Sequence, residues 1–264
     1  MRLARRLLAT AAIASGLAAA PAAAERTHTY WRLEPVGPTD GRTAAWGVPF
    51  LEHRLLPIRL VRLTDPITVG RRTLPAGTFL YLVFNEDRRI GFCTLKDRSA
   101  GNQARTLFIP LLDQRPCLVD GDNDGRFDSS FSVYDKWGGP PSVRGSLNGA
   151  QPIGASAGFQ EVDVHDFPVD MRMALSFSGS RDNPRRARIR VTFNQSIGGQ
   201  WQELGGAATA EGVVFPVGST LILLRSVTAD TASFEVRAAP NAYISSDNRN
   251  NLFFNPLPGF LARN

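Results

Sequence analysis

From residue 28 onward, Gly, Pro, Asn or Asp interrupts the chain every eight to twelve residues, and the pieces between are rich in Val, Ile, Leu, Phe and Thr. That spacing is the pattern of many short strands joined by tight turns. The clearest strand segments are 59–64, 78–84, 90–95, 171–177, 187–193, 220–227 and 231–237. No window holds an amphipathic helical period over three turns, so little helix is expected. The expected fold is all-β with low helix content, built as two small β-sandwich or barrel modules.

The boundary between the modules is drawn at 137–158, WGGPPSVRGSLNGAQPIGASAG, where Gly, Pro and Ser crowd out strand-like alternation. It reads as a linker or long loop, with one module at 25–136 and the other at 159–264. A weak echo links the halves. Leu74-Pro75-Ala76-Gly77-Thr78 runs into FLYLVF, and Phe215-Pro216-Val217-Gly218-Ser219 runs into TLILLR. Duplication and chance recurrence of a turn–strand unit both account for it.

Residues 1–24 have the three parts of a secretory signal. Arg2, Arg5 and Arg6 come first, then an apolar stretch from Leu7 to Ala20, then the small residues Pro21-Ala22-Ala23-Ala24 before Glu25. The apolar stretch is mostly Ala, which makes a poor membrane anchor, so cleavage is expected and no transmembrane segment in the mature chain. Removing the three arginines takes Lys+Arg from 30 to 27 against 24 acids, and the net charge from +6 to +3. No long basic run remains, which takes away the compositional case for a nucleic-acid partner. The compartment implied is periplasmic or secreted.

Such a compartment is oxidising, and the chain has two cysteines, Cys93 and Cys117. A disulfide between them would close a loop of about 25 residues and stabilise by roughly 3 kcal/mol in the chain-entropy model. Two cysteines supply no zinc ligand set, and His28 and His53 have no ligand pattern around them.

The strongest local motif is Asp120-Gly121-Asp122-Asn123-Asp124-Gly125-Arg126-Phe127-Asp128. Carboxylates at its first, third, fifth and ninth places, with the carbonyl of Arg126 at the seventh, can surround one hard cation, and Gly125 permits the sharp reversal. Four neighbouring acids repel one another unless solvated or neutralised, which makes Ca²⁺ the expected cofactor and Asp120, Asp122, Asp124, Arg126 and Asp128 its expected ligands. The spacing resembles the calcium loop of EF-hands over nine positions but has Phe131 where that family carries a bidentate Glu. With strand-like pieces on both sides it looks more like the DxDxDGxxD hairpin loops of integrin-type propeller repeats. That resemblance implies a ligand role for Asp128; the single copy implies no propeller.

Other motifs have a plainer reading beside the functional one. Gly154-Ala155-Ser156-Ala157-Gly158 matches G-x-S-x-G, yet no buried strand precedes it and a strand-like segment, not a helix, follows. Glu161, Asp163 and His165 alternate as they would on one face of a strand, either a metal or acid–base site or a wet strand face. Arg186, Arg188 and Arg190 alternate with apolar residues, which suits an envelope polyanion or a charged edge strand. Tyr134 and Trp137 follow the acidic loop and would serve as a sugar platform or as core anchors. No acid–base pair, nucleophile triad or cofactor loop stands out. The chain is expected to be an envelope or secreted β-protein with a structural Ca²⁺ site and a non-catalytic binding or structural role. A carbohydrate-binding module and a secreted hydrolase are the alternatives, with an envelope glycan or polyanion as the partner to consider.

Overall fold

The computed structural model describes residues 25, 27–34, 39–95, 115–133, 145–194, 202–217, 220–237, 243–247, 252–254 and 257–261. The strands are β1 (Thr27–Leu33), β2 (Thr39–Ala45), β3 (Pro49–Pro57), β4 (Leu60–Leu63), β5 (Ile67–Val69), β6 (Arg72–Leu74) and β7 (Phe79–Asn85). Next come β8 (Ile90–Thr94), β9 (Arg115–Val119), β10 (Arg126–Val133), β11 (Gln151–Val162), β12 (Arg172–Gly179) and β13 (Ala187–Phe193). The last are β14 (Gln202–Gly205), β15 (Ala207–Thr209), β16 (Gly212–Val217), β17 (Thr220–Val227), β18 (Thr231–Arg237), β19 (Tyr243–Asp247) and β20 (Leu252–Phe253). Among the described residues the only helical segments are the 3-10 turns Val164–Asp166 and Pro184–Arg186. The all-β expectation holds, and no described helix is long and apolar enough to cross a membrane.

Six strands close into an antiparallel barrel in the order β7–β4–β11–β10–β9–β8, with β8 pairing back onto β7. Closure removes the exposed edges that would otherwise invite pairing with other chains. A second unit is a sandwich. One of its sheets runs β14–β13–β12–β3–β1, and the other runs β15–β16–β17–β18–β2. Their inner faces meet through aromatic rings, with Phe177 5.4 Å from Phe234 and 6.5 Å from Phe215, and Phe50 4.6 Å from Phe234.

The predicted boundary at 137–158 is corrected by this pairing. Residues 137–144 lie outside the described residues, whereas 151–158 belong to β11, which pairs with β4 and β10 and completes the barrel. The sandwich in turn takes β2 and β3 from the N-terminal half, paired with β18 and β12. Small, polar side chains made 151–158 look like a loop; the ladder hydrogen bonds supplied by neighbours make it a strand. Its least strand-like part, Gly154-Ala155-Ser156, sits in a bulge where partners jump from Phe127↔Ala157 to Ser129↔Pro152.

One face of every barrel strand feeds a single apolar cluster that includes Val61, Leu63, Leu80, Leu82, Phe92, Leu118, Phe127 and Ala157. Phe127 stacks on Phe159 at 4.2 Å, and Phe92 lies 5.8 Å from each. The other face of β7, β8 and β9 offers Tyr81, Cys93 and Cys117 to the cluster that continues into the sandwich. Cys93 and Cys117 stand directly opposite each other in register and form the expected disulfide.

His53 is buried on β3, where its Nδ1 lies 3.1 Å from the Glu34 carbonyl and its Nε2 has no hydrogen-bond partner among the described residues. A carbonyl only accepts, so Nδ1 carries a proton. Burial lowers its pKa from the usual histidine value, against a smaller opposing effect of the Glu34 carbonyl. Below about pH 6.5 the unfolded chain binds a proton at this ring that the folded chain refuses, so stability falls as pH drops through that range. Urea unfolding at pH 7 and pH 5 should show this loss, and the difference between the two should shrink in His53→Leu.

Candidate metal centre

The acidic loop joins β9, whose five residues are all buried, to β10, whose Phe127 is fixed in the barrel stack. Both ends of the loop are therefore held by core packing. Between them the chain must reverse in six residues, and it does so with Asn123 at φ 62° and Gly125 at φ 82°. Glycine adopts that left-handed backbone without strain, and asparagine tolerates it better than most side chains.

The carboxylates fold inward onto the loop's own backbone. Asp124 N–H donates to Asp120 Oδ1 at 3.1 Å and to Asp122 Oδ1 at 3.3 Å, and Gly125 N–H donates to Asp120 Oδ2 at 3.0 Å. Arg126 N–H donates to Asp124 Oδ1 at 2.8 Å. As a result one oxygen from each of Asp120, Asp122 and Asp124 lies within 4.8 Å of the others, a grouping that can hold a metal ion. At that spacing each pair of charges repels by about 1 kcal/mol even in bulk water, and a divalent cation among them turns repulsion into attraction.

The other two expected ligands have different partners. Asp128 accepts from Gly121 N–H at 3.1 Å and from the Ser129 hydroxyl at 2.6 Å, clasping the start of the loop to β10. Arg126 opens β10, and its side chain crosses to β11, with Nε donating to Ser156 Oγ at 3.0 Å and Nη2 to the Ser156 carbonyl at 3.1 Å. Its Nη1 is 3.9 Å from Asp65 Oδ2. The structure thus brings together three of the five residues singled out by the motif.

Ser156 lies on a strand bulge and accepts from an arginine, which is not the strand–turn–helix setting a nucleophile elbow requires. The Glu161, Asp163, His165 stripe also breaks, because β11 ends at Val162. Glu161 makes a two-pronged bond to Arg59, with both distances 3.2 Å. Asp163 caps the 3-10 turn through His165 N–H at 2.9 Å and lies 2.7 Å from His165 Nδ1. Those two hydrogen bonds hold its carboxyl below the usual range. His165 Nε2 in turn lies 3.7 Å from Glu34 Oε1 and 3.5 Å from Arg32 Nη2. Glu34 and Arg32 are some 130 residues away in the chain, and no local pattern marks them.

Tyr134 and Trp137 lie outside the described residues. A different aromatic feature escaped the sequence reading, a cleft of about 690 Å³ lined by His28, Tyr30, Phe84, Glu86, Arg88 and Phe260 among others. His28 stacks on Phe84 at 5.5 Å, and the Arg88 guanidinium lies 5.8 Å from the centre of the Phe260 ring. Arg88 adopts φ 64°, a backbone state uncommon for a residue with a side chain. In sequence its walls are three unrelated segments, so only the fold reveals it.

Compared with known proteins, the chain matches no family model, no curated protein and no solved structure.

Proposed function

We propose that this chain is an exported envelope or secreted β-protein whose β9–β10 loop binds Ca²⁺ as a structural ion, in a non-catalytic binding or structural role. The observation that carries the reading is the convergence of Asp120, Asp122 and Asp124 on a hairpin whose ends are anchored in the barrel. Hard carboxylate oxygens suit Ca²⁺, and the DxDxDGxxD spacing resembles extracellular calcium hairpins. The signal-like residues 1–24 and the Cys93–Cys117 disulfide agree with an oxidising compartment outside the cytoplasm. Of the residues considered for catalysis, Ser156 is bonded to Arg126 and Glu161 to Arg59. The aromatic cleft supplies a recess for the binding role.

The place of a twelfth-position Glu is taken by Phe131, whose side chain has no ligand atom and is packed in the core. Affinity therefore belongs at the weak, extracellular end, about 10⁻⁴ to 10⁻³ M. Protein recovered from periplasm or medium should begin at or near Glu25 and should melt higher as Ca²⁺ is added. At 100 times the dissociation constant the gain is about 2.7 kcal/mol. Asp122→Ala should abolish the gain, and it is the cleanest variant, because Asp122 holds only one long backbone bond of the loop. A melting temperature indifferent to Ca²⁺, with no calorimetric heat at millimolar ion, would reduce the loop to an acidic turn.

A further inference from the structure

The segment 181–190 carries five arginines and one aspartate, a formal charge of +4, whereas the whole chain from Glu25 onward carries +3. Part of it is β13, where Arg188 and Arg190 alternate with the buried Ala187, Ile189 and Val191. A charged edge strand would explain such a stripe, but β13 is not an edge. It is hydrogen-bonded to β12 along its length on one side and to β14 through 188–191 on the other. The arginines therefore need another reason to be gathered here.

Their surroundings give one. At the end of β12, Gly179 turns the backbone at φ 90°, and a Cβ there would fall 2.6 Å from the Arg186 carbonyl. This close return sets Arg181, from the turn, beside Arg190, from β13, in the wall of one recess of about 200 Å³. Trp46, Phe177, Ser178 and Gly179 complete most of the wall, and no acid among the described residues lines it. Of the nearby carboxylates one is held by its own turn and the other pairs with Arg190, which leaves Arg181 as the unneutralised cation of the recess. Asp182 is hydrogen-bonded to the Ser180 hydroxyl, and Glu203 accepts from Ser178 at 3.0 Å while lying 3.8 Å from Arg190 Nη2. Arg181 is exposed and has no ion pair or hydrogen bond among the described residues. The Trp46 indole N–H is spent on the Thr228 carbonyl at 3.0 Å, so its ring is what it can offer a ligand.

We propose that this recess binds a tetrahedral oxyanion, a sulfate or phosphate ester carried by an acidic glycan, between Arg181 and Arg190. Guanidinium groups present forked donors that match such an oxyanion, and they bind it better than point charges do. The recess is larger than one oxyanion requires, and the remaining wall includes Trp46, whose ring is suited to the apolar face of a sugar. The site is separate from the acidic loop and does not depend on calcium.

The test measures binding of the mature chain to dextran sulfate and to uncharged dextran at low ionic strength, with chelator present so that the calcium loop plays no part. Dextran sulfate should bind, uncharged dextran should not, and inorganic sulfate and phosphate should compete. Arg181→Ala should weaken binding about tenfold without lowering the melting temperature. Arg71→Ala, an exposed arginine in the β5–β6 turn, should leave it unchanged. Trp46→Ala should weaken dextran sulfate while inorganic sulfate still competes. Equal losses in Arg181→Ala and Arg71→Ala would mean diffuse charge attraction and overturn the site. So would absence of dextran sulfate binding, whether or not phosphatidic acid vesicles bind.

Discussion

A fragment made of residues 25–136 should fail to fold. It contains β1 to β10, which the Gly/Pro-rich stretch after it marks out as a module, yet its barrel and both of its sandwich sheets are incomplete. Without β11 the barrel cannot close, and β4 and β10 are left with open edges. The interior loses Ala157 and Phe159, and Phe127 loses its closest stacking partner. Outside the barrel, β2 loses β18, β3 loses β12 and β1 loses β19. An open sheet with an apolar face and unpaired edges is the arrangement most prone to aggregate rather than melt cooperatively. The fragment should therefore show little amide dispersion and no cooperative thermal transition, while the mature chain shows both. A cooperative melt of the fragment would mean that the two halves do not need the interleaved pairing.

The same pairing explains what was legible in the sequence and what was not. Strands with one apolar face could be read directly. β13 buries Ala187, Ile189, Val191 and Phe193 and presents the residues between them outward, and β17 and β18 lie where their apolar runs predict. The acidic loop was legible because its backbone reversal and its cluster of carboxylates are encoded within nine residues. β2, TDGRTAA, and the 151–158 part of β11 carry almost no apolar signal of their own. They are strands because β18 and β10 offer them hydrogen-bond partners, a fact about residues far away in the chain. The Glu34–His165 contact and the aromatic cleft share that origin. Asp128 shows a subtler limit. Motif spacing gives it a ligand position, but in the structure a free N–H at Gly121 and the hydroxyl of Ser129 engage its carboxylate.

Replacing both cysteines, as Cys93→Ala with Cys117→Ala, should cost roughly 3 kcal/mol from loss of the cross-link alone. For a chain of this size that corresponds to a fall in melting temperature of about 6 to 12 °C. The two sulfurs are buried on the barrel's outer face among Tyr81, Val119 and Phe131, so the smaller alanines add a packing loss of the same sign. The staple also bears on the acidic loop, since Cys117 lies three residues before Asp120. Leu118 and Val119 remain between them, the first packed into the barrel interior and the second on its outer face. These contacts hold the start of the loop without the disulfide. The gain in stability on adding Ca²⁺ should then be nearly the same in the double alanine variant as in the wild type, because separate supports add independently. Loss of the Ca²⁺ response along with the disulfide would instead make the cross-link part of the acidic loop's scaffold, and would place the weak point of the barrel at the β8–β9 pair, where two residue pairs hold the register among the described residues.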